Sequence, residues 1–343
     1  MHFFKQTKLS VIFIILLFNF ASEAFAIDYK VLLLKSANTE HYEKVEAALR
    51  KSLAIYSNQP ISIVSSTVKL FRSELKNLQR EYFDNYDLLM TIGIRAAELA
   101  YSVDVEIPML SLLIPKLNYQ QLRKLDIHNM NTSKLPPRMA IYLDQPFERQ
   151  YVLAKQIVAD GEMIVFGQKD YATECGEKKK VKLSNKVSHI DSSLSVKRLS
   201  RQLEKTNIAI VTADLGRTSA NQNKWLLYMA YQNNVPVIAY SQAFVQAGAI
   251  AAIFSTPAHF GKQAAEVILD VLNSGTYDNF TSGYAKYFDV ALNQNVARSL
   301  GYANLSKVDL LDSIMNNKLS CHSVPLNYAE KSQQQMTQMD KQN

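Results

Sequence analysis

The stretch VPVIAYSQAFVQAGAIAAIFSTP, Val235 to Pro257, sets two short apolar runs on either side of a small-residue turn of helix. Val235 to Tyr240 reads as a strand buried on both faces, Ser241 to Ala247 as about two helical turns, and Ala249 to Ser255 as another strand. Thr256 and Pro257 then cap and start a helix with Phe260, Ala264, Val267 and Val271 on its apolar face, and Gly275 ends it. A crossover between parallel neighbours of one sheet usually takes about ten or more residues including its helix, and Ser241 to Gly248 is shorter than that. The spacing predicts that the chain leaves one sheet here and steps across to another.

Upstream, the pattern alternates between short apolar runs and amphipathic stretches. Strands are predicted at Tyr29 to Leu34, Ile61 to Val64, Asp87 to Ile92 and Ile107 to Ile114. Between them, Tyr42, Val45, Leu49 and Leu53 recur at helical spacing, a charged helix runs from about Arg72 to Arg80, and a short one from Arg95 to Tyr101. Pro115 to Pro137 interrupts this rhythm and is either a long loop or a weakly marked helix around Tyr119 to Leu125. Met139 to Leu143 resumes it, and Asp144-Gln145-Pro146 opens a helix lined by Phe147, Tyr151, Ala154 and Val158. A second series follows, with strands at Met163 to Phe166, His189 to Asp191, Ile208 to Thr212 and Val235 to Tyr240, and a helix opened by the capping-box spelling Ser219 to Gln222. Alternation of this kind calls for a parallel sheet with helices on both faces. Two such series in one chain predict an α/β protein of two Rossmann-like lobes with a cleft between them. After Gly275 a strand at Tyr287 to Leu292 and a helix near Asn295 are expected.

Lys5 and Lys8, an apolar run from Leu9 to Phe20 and the small-x-small spelling Ala24-Phe25-Ala26 mark residues 1–26 as a secretory signal peptide, with the mature chain starting near Ile27. The run is shorter than the roughly 20 residues of a membrane-spanning helix. The formal charge is +7, and much of the excess lies in Lys178-Lys179-Lys180 with Lys182 and Lys186. No aromatic residues interleave with these lysines, so the run reads as a solvated loop and not as a nucleic-acid site. Cys175 and Cys321 are the two cysteines; an oxidising compartment and an even count favour their pairing. His41, His128, His189, His259 and His322 are scattered, and nothing in their spacing recommends a metal. No cofactor is expected. The residues from His322 onward are mostly polar, and 321–343 is expected to be a disordered tail.

Several spellings, in this order, resemble the ABC-transporter substrate-binding family that includes periplasmic tryptophan- and tyrosine-binding proteins. They are Asp144-Gln145-Pro146 with Glu148 and Gln150, Pro236 to Ser241, Gly248-Ala249 with Phe254-Ser255, Gly261 to Ala265, and Asn293 to Tyr302. The resemblance implies a type I periplasmic binding protein, two lobes joined by a hinge that closes on a small molecule, with crossings near Leu143 and near Gly248. Taken with the spacing, this assigns 27–143 plus 249–292 to the first lobe and 144–248 plus 293–320 to the second. The chain departs from the family at Leu110 to Pro115, where a Gly- and Asp-containing loop is common, and at Ser241-Gln242, where an acidic residue is common.

In open α/β sheets ligands bind beyond the carboxyl ends of the strands, where helix N-termini offer N–H groups. Those ends supply Ser36, Gly93 and Arg95, Asp144 and Gln145, Gln168, Asp214 and Arg217, and Ser241 as candidate ligand-binding residues, with Phe254 and Tyr240 as aromatic platforms. Arg95 and Arg217, one from each lobe, suit bidentate capture of a carboxylate. Motifs of covalent, phosphoryl or dinucleotide chemistry are missing, which argues against an enzyme. The expected function is solute binding for an ABC-type uptake system, with an inner-membrane permease as partner. The alternative is an extracytoplasmic sensory module of the same fold that signals to a membrane receptor.

Overall fold

A computed structural model describes residues 28–75, 80–103, 105–129, 136–167, 187–190, 196–213 and 220–316. Strand β1 (Tyr29–Lys35) exposes only Lys30, as a strand covered on both faces must. Helix α1 (Glu40–Tyr56) follows, its N-terminus capped by Thr39, whose side chain accepts from the Tyr42 N–H. The first series continues with β2 (Ile61–Thr67), α2 (Val68–Leu75), β3 (Leu88–Ile92), α3 (Ile94–Tyr101), β4 (Met109–Ile114), α4 (Lys116–Asn129) and β5 (Arg138–Tyr142). The ambiguous stretch after Pro115 is therefore helical over Lys116–Asn129. The second series runs α5 (Phe147–Ile157), β6 (Met163–Phe166), β7 (Val187–Ile190), α6 (Val196–Leu203), β8 (Ile208–Val211), α7 (Ala220–Gln232), β9 (Val237–Ala239), α8 (Gln242–Ala247) and β10 (Ala251–Phe254). Then come α9 (Pro257–Ser274), β11 (Gly283–Tyr284), β12 (Asp289–Leu292), α10 (Gln294–Ser299) and α11 (Lys307–Asn316).

The strands form two six-stranded sheets, ordered β11-β5-β4-β3-β1-β2 and β12-β10-β9-β8-β6-β7. All pairings are parallel except β10 with β12. The core of each sheet follows one doubly wound order, β2-β1-β3-β4-β5 in the first and β7-β6-β8-β9-β10 in the second. Alternate side chains of a strand feed opposite cores. Val31 and Leu33 join the α1 and α9 side, where Leu49, Phe260 and Ile268 are buried, while Leu32 and Leu34 join Phe71, Ala97 and Tyr119 on the other face. The second sheet is sandwiched in the same way, with α5 and α11 on one face and α6, α7 and α8 on the other.

One expectation is overturned. The strand after Gly248 does not step into the first sheet. It pairs with β9 in the second, Ala251 opposite Ile238 and Ala252 opposite Ala239. The strands here are only three and four residues long, about 10–13 Å at roughly 3.3 Å per residue. The six residues of α8 climb about 9 Å, enough to return the chain for a parallel neighbour. Counted from strand to strand, the connection is residues 240–250, within the usual crossover length. β12, also expected in the first lobe, pairs antiparallel with β10. The chain thus changes sheet after Tyr142, after Phe254 and between β11 and β12. The first passage lies where it was expected near Leu143, and the second comes one strand later than expected. Residues 1–26, Cys175, Cys321 and the tail lie outside the described residues.

Helix α9 begins at the second passage, with a reciprocal cap: Thr256 Oγ1 accepts from the His259 N–H and His259 Nδ1 from the Thr256 N–H. Gly275 closes it at φ 71°, a left-handed cap that glycine adopts without steric cost. In its second turn Gly261 lies directly on α1, so close that an added Cβ would stand 2.4 Å from Val45 O and 2.7 Å from Leu49 N. The second passage is thereby locked onto the first lobe.

Candidate functional site

All three passages join the carboxyl end of one sheet to the carboxyl end of the other, because β5 and β10 each end at a passage and antiparallel β12 starts beside the end of β10. Polar side chains tie the passages together. Gln145 Nε2 donates to Ser255 Oγ (2.9 Å), and Ser255 Oγ donates to Tyr287 O (2.6 Å). Arg149 Nη1 donates to Gln145 Oε1 (2.7 Å) and Ala285 O (2.9 Å), and its guanidinium lies 4.2 Å from the centroid of Phe288. The third passage is held to α9 by Gln263 Oε1, which accepts from the Lys286 N–H (2.8 Å), and by Glu266, paired with Lys286 (3.2 Å) and accepting from Tyr287 Oη. Asp144 is buried and its Oδ2 accepts from the Lys116 N–H at the start of α4.

The first turn of α5 is consequently buried on every side: Phe147, Glu148, Arg149 and Gln150 are all buried. Burial drives the Glu148 carboxyl above its ordinary range, against the opposing pull of its own backbone N–H, Lys116 and Arg149. Gln150, 0% exposed, donates through Nε2 to Val211 O (3.0 Å) at the end of β8. Its Oε1 accepts no hydrogen bond among the described residues.

In a 2-1-3-4-5 sheet the strand order reverses between the first and third strands, and the crevice opens there. In the first sheet this point lies between β1 and β3. The Ser36 N–H donates to Ile92 O (3.0 Å), the Gly93 N–H to Leu112 O (2.9 Å), and Ser36 Oγ accepts from the Ala96 N–H in the first turn of α3 (3.0 Å). Gly93 has φ 87° and ψ 166°, and a Cβ on it would lie 2.6 Å from both Ser36 Oγ and Tyr42 Oη. In the second sheet the point lies between β6 and β8, where the Thr212 N–H (3.1 Å) and Oγ1 (3.0 Å) both donate to Phe166 O.

Behind Ser36, Lys35 is buried between Glu43 (2.6 Å) and Glu46 (2.8 Å), and Glu46 also binds Arg50 and Ser65. Burial opposes the charge on Lys35, but the two carboxylates prevail and hold its pKa above the usual lysine value. The carboxyl end of β4, where the chain departs from the family spelling, is a bulge: the register shifts between Leu112 and Ile114, and Leu113 has φ 55°. A leucine in the left-handed region carries steric strain of about 1–2 kcal/mol. The bulge turns Leu112 and Leu113 into the same core, so the end of this strand is packed with apolar side chains.

The structure thus brings Ser36, Gly93 and Arg95 together at one switch point, with Arg95 exposed on the first turn of α3. It gathers Asp144 and Gln145 at the passages. Ser241 precedes α8 but makes no side-chain cap. Phe254 lines a groove of about 510 Å³ between α8, β12 and α10, together with Gln242, Val245 and Asn293. Tyr240 packs its ring 5.1 Å from Phe244. Gln168, Asp214 and Arg217 lie outside the described residues. Tyr42, Arg149, Ser255 and Tyr287 were missed as site residues. The signal for Arg149 was a charged residue one place after Glu148 in a helix opening that the structure buries throughout.

These features define a two-lobed α/β protein of the periplasmic binding type I architecture, jointed at three stitched passages. The family model of the ABC transporter substrate binding proteins matches residues 173–309, the part of the chain that holds four of the five spellings on which the resemblance rests. CD0873, a substrate binding protein with adhesive properties from Clostridium difficile solved in a ligand-free, open form, superimposes with a TM-score of 0.61 at 17% identity, over 81% of this chain and 96% of that one. A conserved domain protein from Vibrio cholerae gives 0.52 at 18% identity, over 83% and 98%. An ABC domain from Streptococcus pneumonia in complex with L-Trp gives 0.50 at 15% identity, over 80% and 95%. At these identities the structures establish the fold. No curated protein sequence matches the chain.

Proposed function

We propose that this protein is an exported solute-binding component of an ABC-type uptake system, taking a small organic molecule into the cleft between its lobes and presenting it to an inner-membrane permease. The observation that carries the reading is the pair of equivalent switch points, Ser36-Gly93 and Phe166-Thr212, at the ends of two sheets whose passages are bound by one hydrogen-bond network. Such a joint lets two rigid lobes close around a ligand. Ser36, Gly93 and Arg95 supply the first lobe's side of the site, with the α3 N-terminus favouring an anionic group. Asp144, Gln145, Ser241, Phe254, Gln168, Asp214 and Arg217 are the remaining candidates. A carboxylate ligand such as an amino acid fits this set. The reading includes no catalytic step.

The test is a thermal-shift screen of amino acids and small carboxylates, since a ligand bound only by the folded state raises its stability. Titration calorimetry of Arg95→Ala and Arg217→Ala follows. Removing the arginine that holds the carboxylate costs roughly 2–5 kcal/mol of binding. Wild-type affinity in both variants removes the arginines from the site, and no ligand in the screen favours the receptor-signalling role over transport.

A further inference from the structure

Helix α7 carries the chain's single tryptophan on its outer face. Leu226, Leu227 and Ala230 of this helix are buried in the second lobe's core, while Trp225, Tyr228 and Tyr231 stand 55%, 55% and 46% exposed. Their spacing of three places them in one row, and the rings of Trp225 and Tyr228 meet edge to face at 6.0 Å. Aromatic rings left in water at this extent are costly, and amphipathic tryptophan and tyrosine are the residues that favour interfaces. The surroundings are basic. Lys224 is exposed within the same row, and the neighbouring α6 exposes Lys197 and Arg201. The sequences of α6 and α7, VKRLSRQL and ANQNKWLLYMAYQ, hold no acidic residue.

We propose that this face docks on an anionic phospholipid surface, the three rings entering the headgroup layer and Lys197, Arg201 and Lys224 facing lipid phosphates. Mixed aromatic and basic residues are the composition of membrane-interface elements. A second copy of the chain is a poor occupant, because a two-fold contact sets this patch against itself and brings two basic faces together. The chain's own tail is no better, since Lys318, Lys331 and Lys341 outweigh Glu330 and Asp340 in residues 317–343. The docking does not depend on what the cleft binds. It holds the second lobe against the bilayer, where a solute carrier must deliver its cargo.

The single tryptophan makes the test direct. The full protein is mixed with vesicles of phosphatidylcholine alone or with added phosphatidylglycerol, and the emission of Trp225 is followed, with lipids brominated along the acyl chain as quenchers. The expected result is a blue shift and quenching only with phosphatidylglycerol, weakening as salt is raised. Flotation of Lys224→Glu should be weaker by more than about fivefold, the loss for one base near an anionic surface before the added repulsion. Tyr228→Ser/Tyr231→Ser, surface changes whose folding is checked by thermal melting, should also release the protein. Overturning results are unshifted Trp225 emission with anionic vesicles, equal flotation of the tyrosine variant, which assigns any binding to other lysines, or photocrosslinking from position 228 to an acidic protein without vesicle binding.

Discussion

Replacing Gly93 with alanine tests the construction of the first lobe's switch point. At φ 87° and ψ 166° the backbone occupies a region that is essentially reserved for glycine, and an L-residue there costs about 1–3 kcal/mol. The new methyl also needs room held by Ser36 Oγ and Tyr42 Oη, each 2.6 Å from its position. The serine can yield only by rotating away from the Ala96 N–H, which forfeits a helix cap worth about 1 kcal/mol. Gly93→Ala should therefore destabilise the protein by about 2–4 kcal/mol in urea unfolding. Ser36→Ala alone should cost about 1 kcal/mol. The double variant should cost less than the two single losses together, by about 1 kcal/mol, because the cap is lost only once and the methyl meets less. A loss below about 0.5 kcal/mol for Gly93→Ala, or strict additivity with Ser36→Ala, would refute the reasoning.

Two further outcomes are expected. Gly261→Ala gains about 1 kcal/mol of helix propensity but drives a methyl into the backbone of α1 at 2.4 Å; overpacking costs about 1–3 kcal/mol and more where backbone must move, so urea unfolding should show net destabilisation, and a stabilised variant would mean that α9 does not lie this close. Glu148 is held above its ordinary pKa by burial, so its contribution is fully present below the unfolded value and is lost as pH rises through the folded one. Glu148→Gln should then gain on the wild type as pH rises above the ordinary glutamate value of about 4.3, and a gap that widens toward acid in pH-dependent unfolding contradicts the assignment.

The layered architecture was legible because both sheets are parallel and covered on both faces, so their strands appear as short apolar runs, as in Val31 to Leu34. Helix ends were legible where chemistry marks them, at Thr256-Pro257 and Gly275. What was misread is the sheet to which β10 belongs. Strand length, not only connection length, sets how far a crossover must climb, and a three-residue strand such as β9 leaves no trace of its length in a run that continues apolar to Tyr240. The bulge at Leu113 was invisible for a related reason: Leu110 to Ile114 reads as unbroken strand, and only the shifted register shows two successive leucines facing one core.

The joint was hidden by a different effect. Periodicity assigns α5 one apolar face through Phe147, Tyr151 and Ala154, and by itself gives no reason for the polar side chains of Glu148, Arg149 and Gln150 to be buried together. In the structure these three are buried because the helix opens between the two sheets, where the other two passages cover its polar side. Buried polar groups are costly unless they are paired, and here the pairing runs between passages: Gln145 to Ser255, Ser255 to Tyr287, Arg149 to Ala285. The bonds of Gln145 and Arg149 at the entry to α5 are therefore bonds that tie the passages to one another. A lobe rotation that opened the cleft without preserving them would strand an arginine and an amide away from water. The rotation should accordingly turn about this cluster, and Arg149, at its centre, is the residue whose partners must stay constant while Ser36 and Thr212 approach or part.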